Sequence, residues 1–382
     1  MNIASNKIVI YAILSIGIVF TSCRKKEGCT DSEALNFDSK AKRDNGTCQY
    51  DIYNPTAYNL EIPYTLGKYL PAPLIPEDNP MTEEGVALGR KLFYENLLSG
   101  NNTQNCASCH LQEHAFADPA PFSTGIDGLQ GARSAMPIWN MAWNSGDKFF
   151  WDGRVEAIEG QALKPVVDVV EMHAVWPNVV DKLQAHSEYP DLFKKAFGTD
   201  IIDSNLVVKA IAQFERTLMS GNSKFDKYLN GQAQLTPSEL NGYNIFMDEA
   251  GGDCFHCHGE AVNPLWTDND FHNNGLDATH SDLGLGAVTG NANDNGKFKT
   301  PSLRNLIYTA PYMHDSRFNT LDEVINFYSI GLQYSSTIDP LMKNVSAGGV
   351  QLNPQDRLDL KAFLLTLTDE SFINNPNYSN PN

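Results

Sequence analysis

The chain has 382 residues, with 28 Lys and Arg against 46 Asp and Glu, for a formal net charge of −18. That length fits two or three domains, and the acidic balance excludes a nucleic-acid partner, whose phosphates need a basic footprint. The same charge suits a cationic protein partner drawn in by long-range steering.

From the N-terminus, Lys7 precedes an apolar run, Ile8 to Phe20. About 13 residues are too few to span a bilayer as a helix, which needs about 20, and they fit the apolar region of a secretory signal. The run ends Phe20-Thr21-Ser22-Cys23, which resembles a lipobox with Cys23 as the lipidated first residue of the mature chain. The expected location is therefore periplasmic, lipid-anchored to a membrane. Cys29 and Cys48 bracket a segment that resembles the small acidic Cys-Thr-Asp…Asp-Gly-Thr-Cys modules of secreted bacterial proteins. In an oxidising compartment the pair is expected to form a disulfide, making residues 23–52 an anchor and spacer.

Thr82-Glu83-Glu84 reads as an N-cap with first-turn acids, predicting a helix through Leu98. Further helices are predicted over Ser204–Met219, Pro237–Asp248 and Asn353–Leu367 from their apolar stripes. Long Gly-, Pro- and Asn-rich loops, 116–133 and 269–299, lie between them. No internal repeat is read beyond two short motifs, Cys106-Ala-Ser-Cys109-His110 and Cys254-Phe-His-Cys257-His258.

Each of these is the attachment signature of a c-type haem. Two thiols three positions apart reach two vinyl groups of one porphyrin, and the following His meets the iron. Cys-x-x-Cys also serves thioredoxin-like sites and half zinc sites, but neither reading needs a trailing His in both copies. Two covalent haem c groups in two domains follow, with a boundary near Ser220–Ser223. The layout is 1–22 signal peptide, 23–52 spacer, 53–220 first haem domain, 221–372 second haem domain and 373–382 tail.

Phe149-Phe150-Trp151-Asp152-Gly153-Arg154 is followed by Gln161 and Glu171, ten and twenty residues after Trp151. Later come Phe298-Lys299-Thr300-Pro301-Ser302-Leu303-Arg304-Asn305 and Thr309-Ala310-Pro311-Tyr312-Met313-His314-Asp315, leading into Thr320-Leu321-Asp322-Glu323-Val324. Together these motifs resemble the bacterial di-haem cytochrome c peroxidase family, including its MauG branch, from about residue 80 to 367. The resemblance implies an all-α fold of two cytochrome c-like haem domains packed together, with long loops and little β structure. It implies a peroxidatic haem on His110, an electron-transfer haem on His258 and Trp151 as the bridge between them. The activity implied is reduction of hydrogen peroxide to water with electrons from a small cytochrome c or similar donor. The alternatives are MauG-like oxidation of a partner protein and, from another class, a pure di-haem electron carrier. Homodimers are common in the family.

Splitting peroxide needs a proton moved from the near oxygen to the leaving one, work for a carboxylate acting as base and then acid. Glu171 is that group, and Gln161 is an amide that orients peroxide. Many relatives block the peroxidatic iron with a His sixteen residues after the proximal His; here that position is Ile126. His114, if helical with His110, shares its face and stays proximal. The first haem is therefore expected to be five-coordinate and active without reductive activation. For the second haem, Tyr328 aligns with the distal-ligand position used by the MauG branch, and Met313 competes with it. A phenolate stabilises ferric iron, whereas a thioether raises the potential. The residues before the second motif are Gly251, Gly252 and Asp253, where the quinone-maturing relative carries a Trp, which weakens the MauG-type reaction. The family's interdomain calcium maps onto the carbonyls of Thr309 and Pro311 and, in place of an amide, Ser134, a weaker ligand.

Overall fold

The computed structural model describes residues 25–50, 53–144 and 146–381. The expected signal peptide and lipidation site, residues 1–22 and Cys23, lie outside the described residues. The chain divides between Ile52 and Tyr53 into two compact units. In the first, Glu27–Gly28 pairs in parallel with Arg43–Asp44, and Cys29 is bonded to Cys48, as expected. Among the described residues no helix is long and apolar enough to cross a membrane.

The second unit is mostly helical, with short two-stranded ladders such as Lys148–Phe149 with Val155–Glu156 and Phe271–His272 with Phe298–Lys299. Several of its helices start where side chains satisfy free N–H groups. Thr82 Oγ accepts from Gly85 N (3.0 Å) to open Glu83–Phe93. That helix ends short of the predicted Leu98. Glu95 instead caps Leu97 N (2.9 Å) and starts a separate 3₁₀ turn, Asn96–Leu98. Asp203 caps Ser204–Thr217, a Thr236/Glu239 capping box opens Pro237–Met247, and Asn353 caps Pro354–Leu365.

These four helices form two crossed pairs built on the same plan. In the first, Gly89 meets the Ala210 carbonyl so closely that an added Cβ would lie 1.9 Å from it. One turn on, Phe93 meets Phe214 edge to face at 5.4 Å. In the second, Gly242 meets the Asp359 carbonyl, again 1.9 Å from an added Cβ, and Phe246 meets Phe363 at 5.2 Å. Each pair thus matches Gly-x-x-x-Phe, set before a Cys-x-x-Cys-His motif, with a distant helix bearing Phe. This corrects the reading of no repeat beyond the haem motifs: Gly89-Arg-Lys-Leu-Phe93 and Gly242-Tyr-Asn-Ile-Phe246 were its visible signal. Because the carbonyl belongs to rigid helix, Gly242→Ala is expected to destabilise the protein by about 1–3 kcal/mol through overpacking. Thermal unfolding of the haem-loaded protein measures this.

Around the pairs lie two cores. Leu92, Val179, Leu183, Phe193, Val207 and Ile211 belong to the first, and Phe225, Phe246, Trp266, Phe363 and Leu367 to the second. The C-terminal segment packs against the first helix pair. Phe372, Ile373 and Tyr378 pack with Phe93, Phe116 and Phe214, and Tyr378 donates to the Thr217 carbonyl (2.8 Å). Residues 373–381, expected as a tail, are therefore packed structure.

Candidate active site and haem-binding cavities

Each Cys-x-x-Cys-His motif opens onto its own cavity. Cys109 and His110 line the first with Trp151, Arg154, Gln161 and Glu171. Cys254, Cys257 and His258 line the second with Trp151, Asn274, Met313 and Tyr328. Trp151 lines both cavities. Its indole N–H donates to the Ser134 carbonyl (3.0 Å), and its ring meets His314 edge-on.

The residues at both cavities fit a c-type haem. The four motif cysteines are free, unlike Cys29 and Cys48. Burial pushes their thiols up, Cys109 to about 11 and Cys254 and Cys257 to about 12, which argues against a reactive thiolate pair. Burial also lowers both imidazoles, His258 to about 4, so each keeps the neutral form that ligates metal. His110 Nδ1 lies 2.9 Å from the Phe116 carbonyl, leaving Nε2 as the ligand atom. The His258 ring is buried among the backbone of Trp266 and Pro301, with Nδ1 outside ideal hydrogen-bond geometry. A zinc reading fares worse. Among the described residues Cys257, Asp268 and His272 form a possible metal group. However, His272 is clamped between Asp268 (2.8 Å) and Asp339 (2.6 Å). The hydrogen bond it donates to Asp268 leads in raising it to about 9, so it is a cation at neutral pH.

Glu171 is presented by a turn whose geometry is local. Asp168 takes Val170 N on its carboxylate (3.0 Å) and Glu171 N on its carbonyl (3.1 Å). The loop expected to carry a blocking His supports this turn instead. Ile126 N donates to the Glu171 carbonyl (2.9 Å), and an added Cβ on Gly125 would lie 2.3 Å from the Val170 carbonyl. Among the described residues Ile126 does not line the first cavity, and no histidine besides His110 does; Met136 and Met141 are its methionines. His110 and His114 do not share a helix, because a Leu111–Ala117 bridge and a separate turn intervene. His114 still lines neither cavity.

Burial and then the neighbouring Asp168 charge push Glu171 up to about 7, with Arg154 pulling the other way. Arg154 is fixed on Asp152 (3.1 Å) and over the Phe150 ring (3.9 Å). Asp152 also holds Arg133 (2.6 Å), which forks onto Asp282. The motifs quoted from the sequence included Arg154 and Lys299 without a role, and Asp168 was missed. Lys299 lines both cavities, is 7% exposed and is pushed down to about 8 by burial. Its partners among the described residues are neutral, the Asn269 carbonyl (2.7 Å) and Asn144 Oδ1 (3.1 Å).

In the second cavity both ligand candidates are present. Tyr328 comes from the Leu321–Ile330 helix and Met313 from a residue with φ of 74°. The Asn274 amide nitrogen is 3.0 Å from the Tyr328 hydroxyl and 3.8 Å from the Met313 sulfur. Burial pushes Tyr328 up to about 12, opposed by its hydrogen bond with Asn274. Ser134, Thr309 and Pro311 also line this cavity, and the Ser134 hydroxyl donates to the Met313 carbonyl (3.0 Å).

Residues 83–234 match a family model described as di-haem cytochrome c peroxidase. A cytochrome-c peroxidase, IdrP1, of Pseudomonas sp. strain SCT is 33% identical over 350 residues, covering 83% of this chain and 89% of that protein. The chain belongs to the di-haem cytochrome c peroxidase family. Methylamine utilization protein MauG of Methylorubrum extorquens, on the family's other branch, is 36% identical over 301 residues, covering 77% of this chain and 81% of its own. A solved structure of a MauG-like protein associated with microbial copper homeostasis superposes with a TM-score of 0.76 at 37% identity, covering 85% of this chain and 99% of the other. As a member of this di-haem peroxidase family the chain is an oxidoreductase that carries c-type haem, and its mostly helical fold is the expected one.

Proposed function

We propose that this protein reduces hydrogen peroxide to water at the first cavity, with electrons received through the second cavity from a c-type cytochrome. Cys106, Cys109 and His110 hold one haem, and Cys254, Cys257 and His258 the other. The bound haems supply the metal that takes up peroxide and the path for the two electrons that reduce it. The observation that carries the reading is a half-buried carboxyl, Glu171, poised near neutrality in the cavity that His110 lines. As carboxylate it takes the proton of the near peroxide oxygen; as acid it returns that proton to the leaving oxygen, so water departs. Gln161, an uncharged amide on the same wall, orients peroxide by hydrogen bonding. Trp151 is the bridge between the cavities. Lys299, a buried cation with neutral protein partners, suits a haem carboxylate as its counter-charge.

Because Ile126 does not line this cavity, the first haem needs no ligand displaced before it reacts. Peroxide added to the fully ferric protein is expected to react at once. No reaction, or a six-coordinate low-spin first haem by EPR, would reject this. A pure electron carrier gains nothing from a poised Glu171. Tyr328 in the second cavity favours a second reading, MauG-like oxidation of a partner protein. Steady-state peroxide consumption with and without reduced cytochrome c separates the two.

Export, with a lipid on Cys23, belongs to the same proposal and is supported by the Cys29–Cys48 disulfide. A calcium ion on Ser134, Thr309 and Pro311 would meet only neutral oxygens there, with water completing its shell.

A further inference from the structure

The backbone on either side of Asn274 is pinned. Asn273 is buried, and its amide donates to Ser335 (3.0 Å) and Thr337 (2.9 Å) while its own carbonyl takes Asp339 N (3.0 Å). Gly275 has φ of 74°, and its carbonyl accepts from Gln333 N (2.8 Å). His272 is paired in the ladder with Phe298 and held by two aspartates. All this fixes the direction of one side chain, the Asn274 amide, which reaches both ligand candidates of the second cavity.

We propose that Asn274 is the positioning residue that gives the second haem iron Tyr328, and not Met313, as its distal ligand; this rests on the reading of the second cavity given above. A phenolate bound to iron is anionic and only accepts hydrogen bonds. An amide N–H directed at it makes a charge-assisted bond, about twice as strong as a neutral one. The same N–H gains little from a thioether, which is a weak acceptor. Without the donor, a buried phenolate loses the contact that offsets its desolvation, whereas neutral Met313 loses nothing. One amide between the two side chains therefore tilts the choice toward oxygen. It also holds the second haem at the low potential that an anionic ligand gives.

The test uses the di-haem ferric protein as wild type, Tyr328→Phe, Asn274→Leu and Asn274→Asp, followed by optical and EPR spectra and by redox titration of the second haem. Wild type is expected to show a phenolate-to-iron charge-transfer band that Tyr328→Phe abolishes. Both Asn274 variants are expected to show methionine ligation and a raised potential, and adding Met313→Leu to Asn274→Leu removes the methionine signature. Asn274→Asp keeps the size and, read at high pH where it is a carboxylate, removes the donor, so a packing defect in the leucine variant does not decide the outcome. If Tyr328→Phe loses the band while both Asn274 variants keep the wild-type spectrum and potential, the role of Asn274 is wrong and the Tyr328 reading stands. If Tyr328→Phe keeps the wild-type spectrum, the ligand reading fails and this inference goes with it.

Discussion

Glu171→Gln is expected to lower the rate of reaction with peroxide about 10²–10⁴-fold, the range for a lost general acid–base group, with both haems still attached. The amide keeps size and polarity but cannot accept and return a proton. The pH dependence gives a second, sharper signature. Burial, then Asp168, hold Glu171 at about 7, and the first step needs the carboxylate. The wild-type rate with peroxide should therefore fall as pH drops below about 7 and level off above it. Glu171→Gln should lose that limb. Arg154 favours the charged form, so Arg154→Leu should move the limb to higher pH. Stopped-flow rates across pH on the three proteins check this, and a Gln variant with wild-type rates would remove the acid–base role.

Arg304→Leu is expected to destabilise the protein by about 3–5 kcal/mol, the cost of stranding one partner of a buried ion pair. Arg304 is 0% and Asp226 2% exposed. The guanidinium forks onto both carboxylate oxygens at 2.8 Å and spends Nε on the Pro264 carbonyl (2.7 Å). Burial alone would raise Asp226; the Arg304 charge, with hydrogen bonds from Arg304 and Ser223, outweighs it and leaves the carboxyl below its ordinary value of 3.8. A depressed folded pKa means the pair stabilises at neutral pH and loses that contribution only as pH falls below about 3.8. In Arg304→Leu the sign reverses, because the unpaired carboxyl is raised and costs stability as pH rises. The gap between variant and wild type should thus narrow from pH 7 toward pH 4 in denaturant unfolding, and a constant gap would show that Asp226 is not the source. Because Pro301, Ser302 and Leu303, next to Arg304 in sequence, line the second cavity, a less ordered second cavity should accompany the loss.

Some of the site was legible because its chemistry is local. Cys-x-x-Cys-His sets thiols and imidazole within five residues, and the caps at Thr82, Thr236 and Asn353 act within one turn. Motif spacing also placed Trp151, Gln161 and Glu171 on one cavity, since the resemblance carries a whole fold with it. The internal repeat was overlooked because each half matches a glycine with a carbonyl more than a hundred residues away, Gly89 with Ala210 and Gly242 with Asp359. A Gly-x-x-x-Phe pattern is too short to announce such a crossing.

The sequence alone determined which groups could carry the chemistry: two haem attachment motifs, an indole, an amide and a carboxyl at fixed intervals. Only the tertiary structure decided how they are poised. Glu171 titrates near neutrality because folding buries it beside Asp168 and Arg154. Tyr328 and Met313, fifteen residues apart, meet at one Asn274 amide because a ladder and two loops bring them there. Burial and long-range contacts set these energies, and neither is encoded in a local pattern.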